Sequence, residues 1–214
     1  MTDGYTDEFI LNTIDIDALF RAACEDDVET IRRFASAGAN LNMSAYKGSF
    51  LLRNAVQTGS LKALKALLEL GANPNEQFDY YSPVTKKTAE KVSALFYVSG
   101  VESAKLLVEF GADVNIRDAK GSTPLMWAAN YSDAGLIEYL LQEGADASVQ
   151  QVKARGRKAW TALEIAERNL ASWESICREQ GGEKLLERLD QKKRMVQLLQ
   201  KATSSSKGTG KSPA

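Results

Sequence analysis

The sequence predicts an all-α solenoid of stacked antiparallel helix pairs. A Gly-Ala-Asn/Asp segment recurs four times, beginning at Gly38, Gly71, Gly111 and Gly144. The intervals between these glycines are 33, 40 and 33 residues, which indicates a 33-residue unit with seven residues inserted in its third copy. Apolar residues recur within the units at helical spacing, as expected of a helix face that the neighbouring unit covers.

The first two copies are predicted over residues 14–42 and 43–75. The first copy is acidic where later copies are neutral, and a polar outer face is what a terminal repeat needs. The second copy keeps the register of the unit, although Phe50 and Leu51 stand where the fourth copy has Thr-Pro. Its apolar positions include Leu52, Ala55, Leu61, Leu64, Leu67 and Leu68.

The third copy, residues 76–115, departs most from the unit. Its second helix is indicated by apolar residues from Val101 to Val108, and the segment from Phe78 to Lys87 lengthens the preceding loop. Ser93-Ala94-Leu95 is similar to the start of a first helix, but that alignment leaves the turn near Ser99 about three residues short. The register of this copy is therefore left open.

The fourth copy, residues 116–148, shows the unit most clearly. Pro124 suits the first turn of a helix, and Ala128 and Ala129 let two helices approach closely. A second apolar stripe follows, formed by Leu136, Ile137, Leu140 and Leu141. This order of residues resembles the ankyrin-repeat consensus. The resemblance extends from about residue 18 to residue 201, and it implies loop or β-hairpin fingers beside the helix pairs.

The fifth copy, residues 149–202, follows a basic loop and begins in consensus order at Trp160. Its first helix is expected to continue past Trp173 and to end at Gly181-Gly182, before a long closing helix. We predict a single domain over residues 1–202. The Ser-, Gly- and Lys-rich segment 203–214 is predicted to be disordered.

The sequence contains no histidine, which excludes Ser-His-Asp and Cys-His catalysis. Two distant cysteines, Cys24 and Cys177, match no zinc-binding spacing. The C-terminal Gly-Thr-Gly-Lys-Ser segment lacks the strand and helix that a phosphate-binding loop needs. We therefore predict no catalytic residues, no metal site and no cofactor. The alternative is an enzyme with a carboxylate site near the last repeat.

The formal net charge of −1 does not indicate a nucleic-acid binder. Residues 150–214 hold 14 Lys and Arg against 7 Asp and Glu, so this segment carries +7 and the rest of the chain −8. The first residues show neither a signal peptide nor a membrane span. We expect a cytoplasmic monomer that binds neither membrane nor nucleic acid, although a processed exported form would look the same.

The ankyrin resemblance implies a module that binds one protein partner, as an adaptor or inhibitor, through a concave face of fingers and first helices together with the long finger loop of the third copy. Trp127 is expected in the core. The positions expected to be exposed there, and so to contact the partner, are Tyr46, Lys47, Arg53, Gln57, Phe78, Tyr80, Tyr81, Lys120, Met126, Asn130, Tyr131 and Trp160. An alternative implied at the level of the fold alone is a bacterial immunity protein that neutralises a toxic enzyme.

Overall fold

The computed structural model describes residues 16–42, 44–45, 49–82, 87–98, 100–131, 134–152, 158–180 and 182–208. The predicted all-α repeat fold is confirmed, since most described residues lie in helices and the strands form only two short hairpins. The chain divides into two compact units where the sequence predicts one domain over residues 1–202. The N-terminal unit comprises residues 1–98 and 102–112, and the C-terminal unit residues 99–101 and 113–214.

The N-terminal unit begins with two complete helix pairs. The first pair is α1 (Ile16–Glu25) and α2 (Val28–Ser36), and the second is α3 (Leu51–Thr58) and α4 (Leu61–Glu69). A short hairpin of β1 (Ser44–Ala45) and β2 (Ser49–Phe50) forms the finger of the second copy. The facing helices bury their apolar stripes completely at Leu19, Ile31, Leu51, Leu64 and Leu67.

Hydrogen bonds between successive copies hold this stack in register. Ser60 Oγ donates to the carbonyl of Cys24 at 2.7 Å, and Asp26 Oδ1 accepts from the N–H of Ala63 at 2.7 Å. The N–H of Asn73 donates to Asn42 Oδ1, also at 2.7 Å. Polar side chains of one repeat therefore satisfy backbone groups of the adjacent repeat.

The third copy differs from the others in its first helix, and this settles the register left open by the sequence. The insertion folds as an antiparallel hairpin of β3 (Phe78–Ser82) and β4 (Lys87–Val92). A four-residue 3-10 helix, Ala94–Tyr97, replaces the first α-helix before α5 (Val101–Glu109) begins. The first helix of this copy is one turn shorter than in the other copies. This accounts for the roughly three residues that the alignment lacks before the turn near Ser99.

The C-terminal unit contains α6 (Pro124–Tyr131), α7 (Ala134–Gln142), α8 (Ala162–Gln180) and α9 (Glu183–Gly208). The long α8 and its end before Gly182 agree with the sequence prediction. Among the described residues of the chain, no helix combines the length and the apolar character needed to cross a membrane. The core of this unit includes fully buried residues of α6, α7 and α9, namely Leu125, Leu136, Ile137, Leu140, Met195 and Leu199.

Helix α9 continues beyond the end that the sequence predicts. Disorder from residue 203 onward is wrong for residues 203–208, which are helical. The hydroxyls of Thr203, Ser204 and Ser205 donate to carbonyls four residues earlier, at 2.9, 2.9 and 3.0 Å. Because these bonds satisfy the hydroxyls within the helix, the Ser-rich composition does not end it. Residues 209–214 lie outside the described part of the chain.

Candidate functional site

A cleft of about 220 Å³ opens on the C-terminal unit, beside the turn that precedes α6. One wall is this turn, residues 118–122, which we call the finger turn, and the floor is α6. The opposite wall comes from residues around 151 and from the start of α8. The cleft is lined by Asp118, Lys120, Ser122, Met126, Trp127, Asn130, Tyr131, Gln151, Trp160, Ile165 and Arg168.

Asp118 shapes the turn that carries Lys120. Its Oδ1 accepts the N–H groups of Lys120 at 2.8 Å and Ser122 at 2.7 Å, and its Oδ2 accepts the indole N–H of Trp127 at 3.4 Å. The side chain is buried, and a buried carboxylate needs such donors to offset the loss of hydration. The aspartate thus acts as the acceptor that holds the finger turn against α6.

The segment before α8 is fastened to the same turn. The N–H of Val152 donates to the carbonyl of Lys120 at 2.8 Å, and Gln151 Nε2 donates to Ser122 Oγ at 3.0 Å. The N–H of Gln151 also donates to the carbonyl of Trp160 at 3.1 Å. The first two of these bonds fix the distance between the two walls, and the third holds the second wall together.

A reciprocal cap starts α8 and orients the second wall. Thr161 Oγ1 accepts the N–H of Glu164 at 3.2 Å, while Glu164 Oε2 accepts the N–H of Thr161 at 2.9 Å. Glu164 also pairs with Lys158 at 2.9 Å. The Thr161 backbone hydrogen bond, followed by that from Lys158, lowers the pKa of the Glu164 carboxyl. Trp160 and Ile165 flank the cap at the two positions that a hydrophobic staple uses, and both line the cleft.

Three aromatic side chains give the cleft its apolar character. Tyr131 is 75% exposed at the end of α6, and its ring lies 5.9 Å from that of Trp127 at an angle of 59°. The ring of Trp160 has Lys158 Nζ at 4.5 Å and the Arg168 guanidinium at 5.1 Å from its centroid. Both cations are within the range of cation–π attraction, so the indole is held by charged neighbours as well as by packing.

Asn130 presents its amide to the cleft through a contact with α8. Asn169 Nδ2 donates to Asn130 Oδ1 at 3.0 Å and to the carbonyl of Ala129 at 3.2 Å. The Asn130 oxygen is therefore directed at α8, which leaves the amide nitrogen as the donor available to a ligand.

The cleft brings together five of the residues predicted to contact a partner, namely Lys120, Met126, Asn130, Tyr131 and Trp160. Gln57 is exposed, as expected, but belongs to the N-terminal unit. Tyr46 and Lys47 lie outside the described residues. Tyr80 and Tyr81 have their backbone in β3, and their side chains are not among those described.

The predicted exposure is wrong for Met126, Arg53 and Phe78, which are only 2, 6 and 6% exposed. Met126 forms part of the buried floor of the cleft. The Arg53 guanidinium lies 4.9 Å from the ring of Tyr97. Phe78, at the base of the inserted hairpin, packs on Phe50 with ring centroids 4.0 Å apart and is therefore buried in the core.

Five residues of the cleft are not among those expected from the sequence, and Trp127, expected in the core, is half-buried. The missed residues are Asp118, Ser122, Gln151, Ile165 and Arg168. Arg168 follows Glu164 by one helical turn, and that spacing was the one signal in the sequence that placed it near the cap. Within the described ranges, no group of three His, Cys, Asp or Glu residues could hold a metal ion.

Comparison with known proteins gives relatives that share the repeat. A family described as ankyrin repeats (3 copies) matches residues 86–181. SH3 and multiple ankyrin repeat domains protein 2 from Homo sapiens is 32% identical over 148 residues, covering 67% of this chain and 7% of that protein. Inversin from Mus musculus is 30% identical over 140 residues, covering 52% and 13%. Palmitoyltransferase AKR1 from Lachancea kluyveri is 33% identical over 99 residues, covering 44% and 12%. The chain thus spans a small part of each of these relatives.

Proposed function

The chain belongs to the ankyrin-repeat proteins, and from that premise we propose that it binds one protein partner through the cleft of the C-terminal unit. Ankyrin repeats are generally protein–protein interaction modules. The observation that carries the proposal is the exposure of Tyr131, 75%, beside Trp127 and Trp160 at the cleft. Tyrosine and tryptophan in such positions dominate the binding energy of protein interfaces.

The size of the cleft favours a protein segment over a small metabolite. Pockets for small molecules usually enclose about 300–1,000 Å³, whereas this cleft has about 220 Å³. A volume of this size accepts one or two side chains of a partner, while the surrounding surface contacts the partner's backbone. The adaptor and inhibitor roles that the resemblance implies both require a site of this kind.

The carboxylates near the cleft support a binding role over the alternative of an enzyme. Asp118 accepts three N–H groups, and Glu164 is held by Thr161 and Lys158. A general acid would need a raised pKa, but the pKa of Glu164 is lowered. Both side chains are thus engaged in shaping the site, and we propose that the chain has no catalytic activity.

Capture from a lysate of the source organism tests the proposal. The full chain, Tyr131→Ala and Leu186→Ala are immobilised in parallel, and bound proteins are quantified by mass spectrometry. Leu186 is the matched control, because it is a large apolar residue of the same unit, 53% exposed, that does not line the cleft.

We expect the recovery of one protein to fall for Tyr131→Ala, since a hot-spot side chain contributes about 2 kcal/mol or more, which is about thirtyfold in affinity. Leu186→Ala should recover that protein as the wild type does. Circular dichroism verifies that both variants fold. Equal recovery by Tyr131→Ala and the wild type would remove the cleft from partner binding.

A further inference from the structure

The cleft holds two cations that make no ion pair with any other described residue. Lys120 is exposed on the finger turn, and Arg168 is exposed on α8 one turn after the cap. Lys158, by contrast, is paired with Glu164 at 2.9 Å. The positive charge of Lys158 is therefore offset by Glu164. The charges of Lys120 and Arg168 remain available to an anionic group bound in the cleft.

The one carboxylate among the described lining residues does not cancel this charge. Asp118 lines the cleft, but its side chain is buried and its oxygens accept the N–H groups of Lys120, Ser122 and Trp127. Those donors stabilise the carboxylate in place. The surface that a ligand meets is therefore cationic next to aromatic rings.

The position of Arg168 is suited to a carboxylate. Its guanidinium lies over the Trp160 ring, 5.1 Å from the centroid. A guanidinium held over an aromatic face keeps the N–H donors at its edge, and this edge matches the two oxygens of a carboxylate. Trp160 thereby orients the cation and offers apolar surface beside it.

Building on the proposed function, we propose that the cleft recognises an acidic segment of the partner, with an Asp or Glu side chain bound by Lys120 and Arg168 together. An apolar side chain next to that carboxylate packs against Tyr131 and Trp160. Aromatic surface lies in the same cleft as two cations that pair with no described carboxylate, so the preferred segment contains both residue types within a few positions. Charge complementarity of this kind sets specificity and association rate.

A displayed library of random twelve-residue peptides provides the probe. The peptides are fused to the phage coat at their C-terminus, so that any carboxylate they offer internally is a side chain. Selection is performed in parallel on the full wild-type chain and on the double variant Lys120→Gln, Arg168→Gln. The control is Arg178→Gln, Lys184→Gln, which removes the same charge from exposed positions outside the cleft.

We expect the wild type to enrich peptides that are rich in Asp and Glu and carry an aromatic or aliphatic residue. A solvent-exposed ion pair contributes up to about 1 kcal/mol, or about fivefold in affinity. The best synthetic peptide should therefore bind the cleft double variant about tenfold more weakly and the control as tightly as the wild type. Raising the salt from about 0.1 to about 1 M should weaken wild-type binding, because the Debye length falls to about 3 Å.

Three results would overturn the inference, and they separate it from the proposed function. Peptides that lose binding with Tyr131→Ala, yet bind the double variant normally, would remove the acidic preference and leave the cleft as a protein-binding site. Selected peptides that ignore both variants would count against the cleft altogether. A wild-type selection with no enrichment of acidic residues would also reject the acidic segment, while the lysate capture would still judge the proposed function.

Discussion

At Gly121 the backbone takes a φ of +71°, and a Cβ atom there would lie 2.9 Å from Val152 Cγ2 and 3.0 Å from the Val152 nitrogen. The nitrogen cannot move freely, because its N–H is bonded to the carbonyl of Lys120. Two requirements therefore meet at this residue: a left-handed conformation and a close approach of the two walls of the cleft.

Gly121→Ala is expected to lower the free energy of unfolding by about 2–4 kcal/mol, the sum of left-handed strain and crowding. Gly144→Ala is the matched control, since Gly144 has a φ of +86° but nothing within 4 Å of the added Cβ. It should lose only about 1–2 kcal/mol. Urea unfolding measures both, and equal losses would show that the approach to Val152 does not matter.

Other residues show why the sequence predicts some exposures correctly and others wrongly. Tyr131 and Gln57 lie where the helix face alone determines exposure, and both are exposed. Phe78 is buried by stacking on Phe50 from the preceding finger. That contact joins residues 28 positions apart, and it forms only because the inserted hairpin folds back on the preceding finger. The local spacing of residues does not predict the path of the hairpin.

At the scale of an element, the start of α8 is the feature that most affects the cleft. The cap of Thr161 and Glu164 fixes the first turn, and the adjoining Lys158 lies over the ring of Trp160. Sequence reasoning located this start at Trp160-Thr161 correctly, because the consensus order is local. It could not foresee the cleft, which arises only when α8 and residue 151 close against the finger turn.

Glu164→Gln is expected to cost about 0.5–1 kcal/mol of stability at pH 7, since it removes the charge at a helix N-terminus and the pair with Lys158. The pKa of Glu164 in the folded chain is lowered below its unfolded value, which is about 4.3. The advantage of the carboxylate is therefore present above that pH and is lost as the pH falls through the folded pKa.

Urea unfolding at pH 7, 5 and 3 measures this dependence. Glu167→Gln, an exposed position on the same helix, serves as the control and should match the wild type throughout. A difference between Glu164→Gln and the wild type that persists undiminished at pH 3 would contradict the assigned role of the carboxylate.

The third copy shows how far an element can change within a repeat stack. Its first helix is reduced to the 3-10 turn Ala94–Tyr97, yet Ala94, Leu95 and Phe96 remain buried. The apolar residues remain buried while the helix shortens, because packing on α3 of the second copy outweighs the loss of helical hydrogen bonds. The sequence shows the shortage of residues in this copy but not which element becomes shorter.

At the scale of the whole molecule, the repeat spacing was sufficient to predict the fold. Successive units must offer one another the same faces, so the 33-residue interval and the apolar stripes repeat together. The charge asymmetry is visible at the same scale, with the positive excess after residue 150. The cleft lies partly within this basic segment, which agrees with a preference for an acidic partner.

Photo-cross-linking from the cleft detects a protein partner that contacts the C-terminal unit at this place. Tyr131→p-benzoylphenylalanine and, as a control, Leu186→p-benzoylphenylalanine are irradiated as full chains in a lysate of the source organism. We expect one cross-linked protein from position 131 that is absent from position 186 and is displaced by excess wild-type chain. No cross-link from position 131, or the same products from both positions, would contradict it.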